Sequence, residues 1–185
     1  MYYDSNLLRN NSYNRQSAVD YAVKYALNPN SQYRYFPLIH DSSGDCANFL
    51  SQCLRAGGAP MSFKYGNEWW YNNQGTLNNV KDDTWSISWA VAHSLYWYLK
   101  INGSKNTSGS VKGAEVNYTN QLELGDVIFY EDYKGLIFHS AMITSFAASN
   151  GTKMPLISHH SYEALNVPYI KDYPYKKVHF LKIII

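Results

Sequence analysis

The chain has 185 residues, of which 45% are hydrophobic and 16% are charged, and its formal net charge is +2. This length and composition predict one folded domain over residues 1–185. The weak positive charge excludes the basic stripe that nucleic-acid binding requires. We expect no membrane insertion, because no apolar run approaches the roughly 20 residues of a spanning helix.

The amino-terminal stretch MYYDSNLLRNNSYNRQ contains no apolar core of the kind that a signal peptide carries. We therefore expect no signal peptide there. Three helices are predicted from apolar periodicity and from stop signals, and they cover about residues 14–27, 46–56 and 89–101. Asp45 is placed to cap the second helix, and Gly57 and Gly58 end it. Residues 62–86 are expected to be rich in loops.

The carboxyl half has the short, β-branched and aromatic runs that are typical of strands. The predicted strands are 127–130, 137–146, 155–160 and 178–185. Helices followed by a run of strands predict an α+β fold, in which a helical amino-terminal lobe packs on an antiparallel sheet.

The two cysteines, Cys46 and Cys53, lie seven residues apart on one predicted helix, about 10 Å at roughly 1.5 Å per residue. This separation is too large for a disulfide. Cys46 begins the helix, where free N–H groups and the helix dipole stabilise a thiolate and can hold an oxyanion. Cys46 is therefore a candidate nucleophile, whereas Cys53 shares the inward face with Leu50 and Leu54 and is predicted to be core.

A cysteine nucleophile needs a base and a third group that orients it. His139 lies between apolar residues of one predicted strand, and His159 and His160 end the next. If Asn150 and Gly151 form the turn between these strands, His160 shares a face with His139 and His159 points the other way. A bulge of one residue would reverse this assignment. The other histidines are expected to be structural or solvated: His40, His93 and His179.

The segments DCANFLSQCLRAGGAPM, GDVIFY, FHSAMIT and PLISHHSYEALN resemble the bacterial putative amidase domain family, and the resemblance spans nearly the whole chain. That family is similar to the CHAP and NlpC-type cell-wall hydrolases, which implies a papain-like fold. The resemblance implies Cys46 as the nucleophile, His139 as the base and His160 as the orienting residue. Ala47 stands where the family more often has Thr, so a substrate contact from that hydroxyl is absent.

The implied reaction is acyl transfer without a metal or cofactor. The Cys46 thiolate attacks an amide carbonyl, His139 protonates the leaving amine, and water releases the acyl group. The expected partner is peptidoglycan, its glycan strand and stem peptide, cut by a monomer at the bacterial cell wall. The protein would then be a phage-type lysin or the catalytic domain of a secreted protein. The bond stays open between muramoyl–L-alanine, the stem peptide and the interpeptide bridge.

Besides Cys46, four residues are expected to contact this substrate. The backbone N–H of Cys46 and the hydroxyl of Tyr35 are the predicted oxyanion donors. Trp69 and Trp70 are predicted to line a groove for glycan or peptide. Asp45, beside the nucleophile, completes the set.

Three alternatives remain open at the level of sequence. The same cysteine could deamidate or cross-link a protein. A zinc hydrolase could use His139, His159 and His160, although the H-E-x-x-H spacing is absent. The chain could also be a wall-binding module without catalysis, which uses its aromatic residues and in which Cys46 is incidental.

Overall fold

A computed structural model describes residues 13–39, 44–76, 79–149 and 152–185. The helices are α1 (Arg15–Tyr25), α2 (Cys46–Ala56), α3 (Ile87–Ala90) and α4 (Ala92–Lys105). The strands are β1 (Tyr71–Asn72), β2 (Thr84–Trp85), β3 (Lys112–Val116), β4 (Val127–Glu131), β5 (Ile137–Ser149), β6 (Thr152–His159), β7 (Ala164–Pro168) and β8 (Lys177–Ile184). Within the described ranges no helix has the length and apolarity to cross a membrane.

The main sheet has six strands in the order β3-β8-β4-β5-β6-β7, and every neighbouring pair is antiparallel. β1 and β2 form a separate two-stranded ribbon in the region expected to be loop-rich. The predicted α+β class and the antiparallel sheet are confirmed. The papain-like assignment stays a prediction.

The two faces of the sheet bury different clusters. The helices cover one face, where Leu50 of α2 and Leu99 of α4 belong to the same core as Phe129 and Met142 of the sheet. On the opposite face a smaller cluster forms around Tyr130, together with Ile128, Ala141, Ile143 and Ile157. Because adjacent strand residues point to opposite faces, each position on β4 and β5 belongs to one side or the other.

Helix α2 spans the predicted residues, and its end at Gly57 follows from the glycine pair there. The predicted third helix is wrong in one respect, because Val91 breaks it into α3 and α4. Val91 adopts an extended conformation with φ −116° and ψ 120°, and a β-branched residue tolerates that conformation well. Strands β3 and β7 were not expected, since they are short edge strands without a clear apolar alternation.

The β5–β6 hairpin contains a bulge that changes the predicted register. Pairing follows the expected register as far as Ser145 opposite Leu156, but Ile143 then pairs with Ile157. Thr144 is therefore the extra residue. Asn150 and Gly151, the predicted turn, lie outside the described residues.

The bulge decides which histidine lies beside His139. One extra residue in β5 shifts every pairing beyond it, so His159 lies on the face of His139 and His160 does not. The predicted placement of His160 is therefore wrong. The bulge is held by the Thr144 hydroxyl, which lies 2.7 Å from Ser158 Oγ and donates to Asn166 Oδ1 at 2.8 Å.

Candidate active site

The start of α2 is fixed by Asp45, which immediately precedes Cys46. Its Oδ1 accepts hydrogen bonds from the Phe36 N–H at 2.9 Å and from Asn48 Nδ2 at 2.8 Å. Its Oδ2 lies 2.5 Å from His160 Nδ1, and its own N–H donates to Ser161 Oγ at 2.7 Å. Asp45 is 1% exposed. The expected substrate contact is therefore wrong, because the carboxylate is fully engaged inside the protein, and its side chain makes no capping bond to the helix.

The other polar residues of DCANFLSQ also hold the helix in place. Asn48 accepts a hydrogen bond from Trp89 Nε1 at 2.7 Å. Ser51 donates to the Trp89 carbonyl at 2.8 Å and accepts from Trp69 Nε1 at 3.0 Å. These bonds tie α2 to the aromatic residues around it. Among the polar side chains of this motif, Cys46 is the one left for chemistry.

The Cys46 thiol lies against Ser140 on β5. The N–H of Ser140 favours the thiolate, as does the N–H of Ala47 at the helix start. Burial disfavours the thiolate and is the largest effect on the pKa of Cys46. The negative charge of Asp45 disfavours the thiolate further. The pKa of Cys46 is therefore raised, because burial outweighs the stabilisation of the thiolate that the helix start was expected to give and does contribute.

Cys53 is fully buried, and burial holds its pKa well above the usual value. Its predicted place in the core is confirmed. Cys46 retains 7% exposure. The two thiols therefore differ in access as well as in surroundings.

The start of α2 enters a gap between β5 and β6. β6 pairs with β5 only as far as Met142 opposite Ser158. Beyond that pair, Cys46 contacts the backbone of Ser140, and Asp45 bonds to Ser161. The amino-terminal end of α2 therefore occupies the place where β5–β6 pairing stops. It brings the Cys46 thiol to Ser140, the residue that follows His139.

His139 is buried, with 6% exposure, and its Nε2 has no hydrogen-bond partner among the described residues. Its ring packs edge-to-face on His159, with ring centroids 4.5 Å apart, and it also contacts Tyr130 and Tyr173. Burial holds the pKa of His139 well below its usual value, and electrostatic interactions with His159 and Lys171 lower it further. The imidazole is therefore neutral, the form that a base needs.

No hydrogen bond joins Cys46 to His139 in the described part of the chain. His139 pairs with Tyr130 and lies on the face of Tyr130, whereas Ser140 lies on the helix-covered face with Phe129. The imidazole and the thiol therefore lie toward different faces of the sheet, and a reaction between them requires the imidazole to move around β5.

His159 is held by two contacts that fix its tautomer. Its Nε2 lies 2.9 Å from Lys171 Nζ, and its Nδ1 lies 3.2 Å from the His160 carbonyl. Since an ammonium only donates, Nε2 accepts and the proton is on Nδ1. Burial and then the charge of Lys171 lower the pKa of His159 to about 4. The ring is neutral, and it contacts His139 by packing rather than by a hydrogen bond.

His160 occupies a different place from the one that the sequence predicted. Its Nδ1 faces Asp45, its Nε2 lies 2.8 Å from the Tyr25 carbonyl, and its ring stacks on Phe49 at 4.0 Å between centroids. These contacts join α1, α2 and the end of β6. His160 therefore supports the helix that carries Cys46.

Of the two tryptophans predicted to line a groove, Trp69 is 0% exposed and donates to Ser51 inside the core. The prediction is wrong for Trp69, since a residue without surface cannot contact substrate. Trp70 is partly exposed and stacks on the exposed Phe63, with ring centroids 5.5 Å apart. Its contact with substrate stays a prediction.

Tyr35 lies near His160, with ring centroids 6.1 Å apart. Its hydroxyl donates to Glu163 at 2.6 Å. Burial and then this bond raise the pKa of Tyr35 to about 12. The Tyr35 hydroxyl is therefore already hydrogen-bonded. To act as the predicted oxyanion donor, it would have to break its bond to Glu163.

Within the described residues no group of three or more His, Cys, Asp or Glu side chains is placed to hold a metal ion. The zinc alternative required three histidines to converge, but both nitrogens of His160 are turned to Asp45 and Tyr25. His93 accepts from the Ile137 N–H at 3.2 Å, and His179 lies between two carboxylates. Both are structural, as predicted, and His40 lies outside the described residues.

Three residues near the candidate site escaped the sequence analysis: Ser140, Lys171 and Tyr173. Ser140 follows His139 directly, so strand alternation already assigned it to the other face. Lys171 and Tyr173 lie in the segment between β7 and β8, where no periodicity indicates which side chains turn inward. No local signal could have identified them.

The structure thus defines an α+β domain whose candidate site lies where α2 meets β5. The chain matches the protein family described as "Putative amidase domain" over residues 12–181 and belongs to that family. Family membership suggests hydrolysis of the amidase type. No solved structure matches the chain significantly.

Two similar proteins come from Bacillus subtilis (strain 168). "Uncharacterized protein YhbB" is 34% identical over 155 residues, which cover 82% of this chain and 42% of that protein. "Uncharacterized protein YjcM" is 34% identical over 166 residues, which cover 84% of this chain and 32% of that protein. The chain therefore spans less than half the length of both relatives.

Proposed function

We propose that this domain is a cysteine hydrolase that cuts an amide bond of bacterial peptidoglycan, with Cys46 as nucleophile and His139 as base. The observation that carries the proposal is the Cys46 thiol at the start of α2, held against the backbone next to His139. Membership of the amidase-domain family supports the class of reaction. A nucleophile at a helix start and a base on an adjacent strand also support a papain-like arrangement.

The first half of the reaction transfers the acyl group to sulfur. Neutral His139 accepts the thiol proton, and the sulfur attacks the amide carbonyl. Backbone N–H groups at the start of α2, with that of Cys46 first among them, stabilise the oxyanion. The imidazolium then donates its proton to the leaving amine, and a thioester on Cys46 remains.

The second half regenerates the enzyme. His139 accepts a proton from water, the resulting hydroxide adds to the thioester carbonyl, and the Cys46 thiolate leaves. The imidazolium returns its proton to the sulfur, and the acyl group departs as a carboxylate. One amide and one water are consumed, and one amine and one carboxylate are released.

The resting pair is neutral in this proposal. Burial raises the pKa of Cys46 and lowers that of His139, and both shifts disfavour a thiolate–imidazolium ion pair. Proton transfer then accompanies attack rather than preceding it. His139 also has to turn out of its packing with His159 to reach the thiol, and its Nε2, which has no hydrogen-bond partner among the described residues, loses no hydrogen bond in doing so.

We assign the support of the base to His159 instead of His160. His159 packs on the ring of His139 and restricts its orientation. It does so through shape, since its Nε2 is engaged by Lys171. His160 acts on the other partner, because its bond to Asp45 fixes the residue before the nucleophile.

Peptidoglycan as partner, action of a monomer at the cell wall, and an origin in a phage lysin or a secreted protein all belong to this proposal. The relatives are more than twice as long as the part that matches. The activity of a whole protein that contains this domain is therefore a proposal as well.

The test is digestion of purified peptidoglycan by the wild type and by Cys46→Ala, followed by mass spectrometry of the released fragments. We expect new amino termini with the wild type and none with Cys46→Ala, and their identity gives the bond. Ammonia without new termini would indicate a deamidase. Equal wall binding by both proteins without any fragments would indicate a binding module and overturn the proposal.

A further inference from the structure

Lys171 lies beside His159, the neighbour of the proposed base, and forms no ion pair with any of the described residues. Its Nζ is 2.9 Å from His159 Nε2, and the ring of His159 packs on His139. Lys171 is partly buried, and burial lowers its pKa, against which the nearby Asp172 acts only in part. One side chain, that of His159, thus lies between the ammonium and the imidazole that the reaction uses.

Of the other partly buried lysines in the described residues, Lys112 donates to the amide oxygen of Asn106, and the remaining two have carboxylate partners. Lys100 lies 2.6 Å from Glu115, and Lys182 lies 2.9 Å from Glu123. Among the described residues, no carboxylate oxygen comes within 4.0 Å of Lys171 Nζ. An ammonium has three donors, and a neutral histidine takes one of them here. A desolvated cation in this state gains most from an anionic ligand.

We propose that Lys171 binds a carboxylate of the substrate and thereby selects amides that are flanked by a free carboxylate. This inference rests on the proposed function, and it adds a specificity-determining residue and a substrate class to it. The two remaining N–H donors of Lys171 suit the two oxygens of a carboxylate. A neutral amide at the same place would leave the ammonium without a counter-charge.

Binding of the carboxylate also acts on the base. The charge of Lys171 contributes to holding the pKa of His139 low. A carboxylate on Lys171 cancels that charge, so His139 becomes a stronger base when the correct substrate is bound. Selection and activation then come from the same contact.

The first experiment uses small alkylating probes and does not depend on the natural substrate. Iodoacetate and iodoacetamide both transfer a carbon to the cysteine sulfur and release iodide, but iodoacetate is an anion. We expect the ratio of the iodoacetate rate to the iodoacetamide rate to be about tenfold higher for Cys46 than for glutathione. A unit charge a few ångströms away supplies an effect of that order. Lys171→Met should remove this preference.

Lys176→Met is the matched control, because Lys176 lies in the same segment but is paired with Glu131 at 3.3 Å. It should keep the preference of the wild type. Circular dichroism and melting establish that each variant is folded. A wild-type ratio equal to that of glutathione, a ratio unchanged by Lys171→Met, or no reaction at Cys46 would each overturn the inference.

The second experiment uses purified peptidoglycan whose carboxylates have been converted to methylamides with carbodiimide and methylamine. The wild type should cut the modified wall at least tenfold more slowly than the unmodified wall. Lys171→Met should cut both walls slowly and at the same rate. Equal sensitivity of the two proteins would contradict the inference. Failure of the proposed function is a different outcome, in which the wild type cuts neither wall while the alkylation preference persists.

Discussion

Two buried histidines of the same sheet, His179 and His139, have opposite surroundings. His179 Nδ1 lies 2.7 Å from Glu115 and its Nε2 lies 2.8 Å from Glu131. His139 has no carboxylate neighbour of this kind, and its Nε2 has no hydrogen-bond partner among the described residues. The two are almost equally buried, at 5% and 6% exposure. Burial alone therefore does not distinguish them, but hydrogen bonding does.

The charges around the two histidines differ in the same sense. Glu115 is also bound by Lys100, and Glu131 by Lys176, so the cluster around His179 contains both signs. Near His139 the closest charge is that of Lys171, and it lacks an ion-pair partner in the described structure. A satisfied polar cluster stabilises a fold, and an incomplete one marks a place where a ligand or a reaction completes it. The comparison favours the cluster around His139 as the functional one and so supports the proposal.

The largest effect is expected from the two cysteines. Cys46→Ala should lower the rate of wall hydrolysis by at least about a thousandfold, because the nucleophile is lost. Cys53→Ala should keep the activity and lower the free energy of unfolding by about 1 kcal/mol, since a buried group is removed. Rates of fragment release and thermal melting measure the two effects. Wall hydrolysis that persists in Cys46→Ala would contradict the role of Cys46 as the nucleophile.

The next effect separates the two histidines directly. His139→Gln should lower turnover by about 10²–10⁴-fold, the usual contribution of a general base, with little change in melting. His179→Gln should keep turnover but lose about 1–3 kcal/mol of stability, because the buried position loses its bonds to two partly buried carboxylates. Steady-state kinetics and denaturant unfolding of both variants give the pattern. The reversed pattern would mean that the satisfied cluster is the functional one.

A smaller contrast concerns the adjacent pair. His160→Ala should lower stability by about 1–3 kcal/mol, since Asp45 is left buried without one of its partners. His159→Ala should disturb stability less, and at equal folded fraction it should lower turnover more, because the packing on His139 is lost. Equal or greater loss of turnover in His160→Ala, after correction for folding, would support the register that the sequence predicted.

The smallest effect is a shift of pH dependence. Burial disfavours the charged form of His139, so His139 takes up a proton only well below its usual pKa of about 6.5. The acid limb of kcat/KM should therefore lie below pH 6.5. Lys171→Met should move the limb upward, because a nearby positive charge is removed, and Lys176→Met should not. An acid limb at or above pH 6.5 in the wild type would contradict the neutral, desolvated base.

Local signals predicted much of the fold. Helix α2 has the predicted bounds, and the glycines at 57 and 58 end it as predicted, although the Asp45 side chain at its start makes no capping bond. The β5–β6 hairpin was expected from the alternation of its strands, and its register is correct as far as Ser145. In both cases the information lies within a few residues of the element that it determines.

The remaining features depend on contacts between distant parts of the chain. Thr144 fits any strand, and it becomes a bulge through bonds to Ser158 and to Asn166, whose φ is +53°. Trp69 and Trp70 are equal in sequence, and the bond from Trp69 to Ser51 decides which one is buried. The raised pKa of Cys46 also follows from burial, which outweighs the helix start. No pattern in the sequence reports these contacts.

The central claim is that Cys46 is the reacting group, and stoichiometric alkylation tests it most directly. Samples are treated with iodoacetamide for increasing times, and peptide mass spectrometry gives the modified fraction of each cysteine. Fragment release from peptidoglycan is measured on the same samples. We expect the lost activity to equal the modified fraction of Cys46 while Cys53 stays unmodified. Full activity in protein whose Cys46 is completely alkylated would contradict the account.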